Sequence, residues 1–258
     1  MLRYAPFLVG AAAGALYARE RRALNRVERL GAAALETLLD AIDANNAVTG
    51  AHVRRVADYA LILADAADLD EREQNSIERV ALFHDIGKID GALSDIVDET
   101  TALTPKERKA VMTHPRRGAE VLAPLAGFYP DLPEGVLAHH ERWDGNGYPR
   151  GLRGCRIPLA ARVVAIADTF DAVTHARPYS RALSRSMGLE IIGAGRGKQF
   201  DPDLVDLFLS PPVVEAVEES MRKSHAPRKA GGKRRAGRRS GNAPDINFRW
   251  RSAGPARR

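Results

Sequence analysis

At 258 residues with 45% apolar content, the chain can bury one sizeable core with appendages, since a domain takes roughly 100 to 200 residues. The single cysteine, Cys155, excludes an internal disulfide and a multi-thiolate metal site, and fits a reducing compartment with the cytoplasm as the expected location. The net charge of +6 is unevenly placed: residues 222–258 hold 13 Lys/Arg against one acid, so the remaining body is acidic and the protein as a whole does not read as a nucleic-acid binder.

Residues 4–18, "YAPFLVGAAAGALYA", are uncharged and mostly small or apolar, with Arg3 before them and Arg19, Arg21 and Arg22 after them. They fall short of the roughly 20 residues that span a bilayer. A small-residue helix is the first reading of residues 1–22, and a cleaved signal or short inner-membrane anchor is the alternative. From Ala23 to Leu39, the residues Leu24, Val27, Leu30, Leu35, Leu38 and Leu39 recur at helical spacing. "DANNAVTG" then reads as a loop, and a second helix restarts the pattern at Val53, Val56, Ala57, Ala60, Leu63 and Ala64.

Further along, Ile77, Val80, Ala81 and His84 share one helix face, which turns His84 inward. The run 159–173, "LAARVVAIADTFDAV", is apolar on nearly every face and marks a buried helix. Asp168 inside it is costly unless paired or bound to a metal. No segment alternates long enough for a strand, so the predicted class is all-α, with the main body over residues 23–221. Residues 222–258, rich in Arg, Gly, Ser and Pro, read as a disordered tail. Such a tail is either a solubilising terminus or a non-specific contact for nucleic acid or an anionic membrane.

Five of the seven histidines stand in short, well-defined contexts: His52, His84, His114 and the pair His139 and His140. Taken singly, each is most simply a satisfied core or surface residue. With Asp85 and Asp168 they form a set of seven nitrogen and oxygen donors. Adjacent residues on a helix point about 100° apart, so His84-Asp85 and His139-His140 suit two neighbouring ions better than one. Mixed imidazole and carboxylate favours iron, manganese, cobalt or zinc over magnesium or calcium. Two such ions roughly 3.5 to 4 Å apart hold a phosphoryl group for in-line attack. Phosphodiester hydrolysis is the chemistry this set favours.

"HDIGK" (84–88) and "HHERWDGNGYP" (139–149), followed by "IPLAARVVAIADTFDAVTHARPYS" and "GKQFDPDLVDLF", resemble the HD-GYP family of metal-dependent phosphohydrolases over about residues 35–209. The resemblance implies an HD-domain helical bundle with additional GYP-region helices, two or three transition metals with iron or manganese usual, and hydrolysis of the bacterial messenger cyclic di-GMP. It implies His52, His84, Asp85, His114, His139, His140 and Asp168 as metal ligands, with Asp85 bridging the ions. By the same resemblance, Asp85 and Lys88 act in catalysis, and Lys88 and Arg177 meet substrate phosphate. Gly147, Tyr148 and Pro149 form the loop tied to substrate choice and to contacts with diguanylate cyclases. A homodimer is a further expected partner state.

Three positions depart from the family pattern. Val48 stands where some members place a glutamate for a third metal, which predicts two metals and pGpG as main product. Ser180 replaces a frequent basic residue, and "DGALSDIVDETTALTP" is unusually acidic. Glu141 and Asp144 are expected to brace the loop, His175 to lie at the rim and His225 in the tail. Two other functions stay open: a hydrolase of another cyclic dinucleotide such as cyclic GMP-AMP, and a non-catalytic messenger receptor.

Overall fold

A computed structural model describes residue 19 and residues 29–44, 46–89, 104–175 and 182–225. The 4–18 segment, the stretch 90–103, Arg177, Ser180 and the tail from residue 226 lie outside the described residues.

The first described helix, α1, covers residues 29–44. Its buried stripe is Leu35, Leu39 and Ile42, whereas Leu30 is exposed. Five residues of helix rotate Leu30 about 140° away from Leu35, so Gly31 continues the stripe and packs beneath Phe128 and Tyr129. Helix α2 (Ala47–Ala66) starts earlier than its apolar pattern suggests. The Asn46 side chain accepts from the Val48 and Thr49 amides, and this N-cap draws "AVTG" into the helix instead of the expected loop.

Helix α3 (Glu71–Phe83) opens on a capping box between Asp70 and Glu73. A similar box, Thr104 with Glu107, starts α4 (Pro105–Val111). There follow α5 (His114–Leu122), α6 (Asp131–Ala138), α7 (Leu159–Thr174), α8 (Arg185–Ala194), α9 (Pro202–Phe208) and α10 (Pro211–His225). The last helix places His225 on its final turn, four residues into the segment assigned to the tail.

Helices α2, α3 and α7 pack on one another and form the centre. Phe170 of α7 meets Tyr59 of α2 and Phe208 of α9 edge to face, at ring-centroid distances of 5.6 and 5.4 Å. All three rings are buried; each contributes about 1.5 to 3 kcal/mol through burial alone. Among the described residues there is no strand, only one isolated bridge between Arg196 and Phe200, so the architecture is all-α as expected. No described helix is long and apolar enough to cross a membrane.

Candidate metal centre

The seven donors come from five places in the chain that the bundle brings together. His52 lies on α2, His84 and Asp85 on the turn that ends α3, His114 at the first position of α5, His139 and His140 just after α6, and Asp168 on α7. After His84 the chain tightens into a 3₁₀ turn, Ile86–Lys88. A side chain at Gly87 would overlap the His114 carbonyl and the Gly118 amide, so glycine lets this turn lie directly on α5. That approach carries Asp85 to His114.

Two groups of potential ligand atoms result: His52, His84 and Asp168 in one, and His114, His139 and His140 in the other, with the atoms of each group within 4.8 Å of one another. Asp85 lies between them. Its Oδ2 is 3.5 Å from His84 Nε2 and 3.9 Å from His52 Nε2, while its Oδ1 is 3.4 Å from His114 Nε2. The Lys88 ammonium donates to the same carboxylate at 2.7 and 2.8 Å.

The imidazoles are held in a defined tautomer. Nδ1 of His84, His114 and His139 lies 2.8, 2.7 and 2.6 Å from the carbonyl oxygens of Ala81, Val111 and Val136. A carbonyl only accepts, so each Nδ1 carries the proton and each Nε2 presents a lone pair to the centre. Two of those lone pairs, on His114 and His139, face each other across 3.1 Å. Nε2 of His52 and His84 is buried without a hydrogen-bond partner. Facing lone pairs and orphaned buried acceptors are costly by themselves. A cation between them removes the cost, and the donor set therefore fits divalent metal.

The electrostatics agree. Burial, with neighbouring cationic groups, pushes His114 down to about 3 and His140 down to about 4. Burial and the adjacent imidazoles hold His139 well below its ordinary value. Their burial thus keeps these three rings in the neutral form that a metal needs. For Asp85, burial favours the acid, but Lys88 and His84 outweigh it and keep the carboxylate charged; for Asp168 the His52 ring, 3.3 Å away, does the same. His52 is the exception: burial opposes its charge, yet Asp168 and Asp171 push it up to about 9.

The loop after His140 is built as a rim. Tyr148 stacks on the His140 ring, centroids 4.9 Å apart, and the Tyr148–Pro149 peptide is cis. Gly147 passes so close to Glu141 and Arg142 that a side chain would overlap their backbone. The buried Glu141 carboxylate accepts from the Arg150 and Leu152 amides at 2.7 and 2.9 Å, closing the loop as a brace. Asp144 holds Arg142 at 2.8 Å, and the Trp143 and Asp144 amides bond to the carbonyls of Gln199 and Lys198. Replacing Glu141 with glutamine turns an acceptor toward one amide into a donor, which costs about 1 to 3 kcal/mol. We expect E141Q to lower Tm by about 2 to 4 °C for each kcal/mol lost; a calorimetric melting curve that matches the native one would show that this carboxylate does not brace the loop.

Asp171 and Arg55 were not singled out from the sequence, and His175 was expected only as a rim residue. The buried Asp171 carboxylate accepts from His52 Nδ1 at 2.7 Å, from Arg55 Nε and Nη2 at 2.7 and 2.9 Å, and lies 3.0 Å from His175 Nδ1. His175 thus stands one helical turn after Asp171 and against its carboxylate. The available signal was the second acid in the apolar run 159–173, one helical turn after Asp168. Cys155 is exposed and away from these contacts.

A family model described as HD domain matches residues 12–204, a stretch that includes all seven donors. The chain belongs to the HD domain family. Its motif series places this HD domain with the HD-GYP proteins. It is 39% identical over 188 residues to the cyclic di-GMP phosphodiesterase response regulator RpfG of Xanthomonas campestris pv. campestris, covering 72% of this chain and 49% of that one. It is 37% identical over 174 residues to the 3'3'-cGAMP-specific phosphodiesterase 2 of Vibrio cholerae, covering 67% of this chain and 33% of that one. This HD domain thus spans about half or less of these curated relatives. Among solved structures, the HDG"Y"P protein Bd1817 from Bdellovibrio bacteriovorus superposes with a TM-score of 0.53 at 15% identity, over 77% of this chain and 63% of that one. That likeness shows the fold alone.

Proposed function

We propose that this chain is a metal-dependent phosphodiesterase that hydrolyses cyclic di-GMP, mainly to pGpG. The observation that carries the reading is the Asp85 carboxylate, one oxygen toward His52 and His84 and the other toward His114, between two three-donor groups. His52, His84 and Asp168 would hold one ion and His114, His139 and His140 the other, with iron or manganese preferred by the donor chemistry. When bound, the two ions would supply Lewis-acid activation of a phosphodiester and of the attacking water.

The chain's own residues orient and enclose. Asp85 holds Lys88 at the edge of the centre, where its ammonium would meet a phosphate oxygen. Arg177, outside the described residues, would supply a bidentate contact to the same group. Tyr148, fixed against His140, would form the wall on which a base or ribose rests, and Gly147 and Pro149 hold that wall in place. Val48, exposed on the first turn of α2, four residues before His52, offers no donor for a third ion, which favours two ions and the linear product.

A second reading, hydrolysis of 3'3'-cyclic GMP-AMP, is kept because a relative with that named specificity is nearly as similar as one named for cyclic di-GMP. The deciding experiment is parallel turnover of the two messengers by manganese- or iron-loaded protein, with metal counted in the same sample. We expect faster consumption of cyclic di-GMP, pGpG accumulation and two ions per chain. Preference for cyclic GMP-AMP transfers the assignment to the second reading; binding without product makes the protein a receptor; three ions with GMP as product would overturn the role given to Val48. Diguanylate cyclases at the 145–149 loop, a homodimer, a nucleic-acid or anionic-membrane contact by the tail, and a cytoplasmic location with inner-membrane attachment through residues 4–18 complete the proposal.

A further inference from the structure

The imidazoles of the centre are fixed by two different means. Nδ1 of His84, His114 and His139 is anchored in each case by the backbone carbonyl three residues earlier. Such anchors belong to the backbone, so no side-chain substitution deletes the accepting group. His52 is instead anchored by a side chain, Asp171, 119 positions away in sequence. That carboxylate is itself held by the two-point fork of Arg55, one turn after His52 on α2. Asp171 is nearly inaccessible, and the Arg55 side chain is only 18% exposed. The fork is thus a rigid, largely desolvated strut between α2 and α7, the helices that carry His52 and Asp168.

We propose that Asp171 and Arg55 are positioning residues for one metal site only, the one made by His52, His84 and Asp168, and that they set its affinity independently of the site made by His114, His139 and His140. The inference rests on the two-ion reading above. Its physical basis is that Asp171 fixes both the tautomer and the ring plane of His52, which aims Nε2 at the position shared with His84 and Asp168; Arg55 fixes Asp171. Neither residue touches the other group of ligands. Losing an outer partner of a ligating histidine typically weakens metal binding by about 10- to 100-fold.

The test titrates manganese(II) into the metal-stripped 258-residue chain by calorimetry, for the native protein and for Asp171→Asn. Asparagine keeps the shape of Asp171, but its amide group opposes either the Arg55 fork or the His52 Nδ1 proton. We expect two binding events in the native protein. In D171N, one event should weaken about 10- to 100-fold and the other should stay within about threefold. Arg55→Lys, which keeps the cation but loses the fork, should weaken the same event by a smaller factor. Equal weakening of both events, or of neither, overturns the proposal. Should D171N fail to give a native circular-dichroism spectrum, R55K decides alone, and two unchanged affinities then overturn it. Native protein that binds no manganese refutes the metal reading itself, a result distinct from native protein that binds two ions and does not respond to D171N.

Discussion

Replacing Asp85 with alanine is expected to lower kcat for cyclic di-GMP by roughly three orders of magnitude or more and to take metal content from two ions per chain toward zero. The size follows from position. Removing one preorganised charge-stabilising donor from an active site costs about 10²- to 10³-fold, and Asp85 serves both halves at once through its two oxygens. It also holds the Lys88 ammonium, so D85A releases the cation meant for substrate phosphate. The backbone around it is secured by other means, namely the packing of Gly87 on α5 and the buried Ile86. The variant should therefore keep a native circular-dichroism spectrum. Product formation followed by chromatography, with metal measured by mass spectrometry, checks both parts. Turnover within tenfold of the native rate would refute the central role of this carboxylate.

Metal removal is the second large effect. A chelator should abolish turnover and, with two ions lost, lower Tm by roughly 10 to 20 °C relative to protein in manganese at about 100 times its Kd. A ligand at that concentration stabilises the folded state by about 2.7 kcal/mol per site, and in a protein of this size each kcal/mol moves Tm by about 2 to 4 °C. The cause is the arrangement of charge and lone pairs: buried Asp85, partly buried Asp168, and the His114 and His139 nitrogens that face each other at 3.1 Å. Adding manganese back should restore both activity and melting temperature. Equal melting curves with and without chelator, read by calorimetry at fixed protein concentration, would mean that the donors satisfy one another without a cation.

Legibility differed from residue to residue. The core face of α2 could be read directly, because Val53, Val56, Ala57, Ala60, Leu63 and Ala64 follow the helical period and all are buried. Its first turn could not, since "AVTG" has no apolar period and the helix there depends on the Asn46 cap. Leu30 looked like part of a stripe but falls off the buried face, where Gly31 fits under two aromatic rings. Asp168 announced itself as an acid in an apolar helix. Asp171 stood in the same run, yet its meaning depends on Arg55 and His52, more than a hundred residues earlier.

By itself the amino-acid order determined which side chains can donate to a metal, that they are imidazoles and carboxylates without thiolates, and that the chain is helical. Donor chemistry and periodicity are properties of residue type and spacing, and they survive without coordinates. Only the tertiary structure decided how the donors divide into two groups and that His52 leans on a carboxylate where three of its counterparts lean on backbone. Those facts are distances between helices remote in sequence, and packing of α2, α3 and α7 about a shared core sets them.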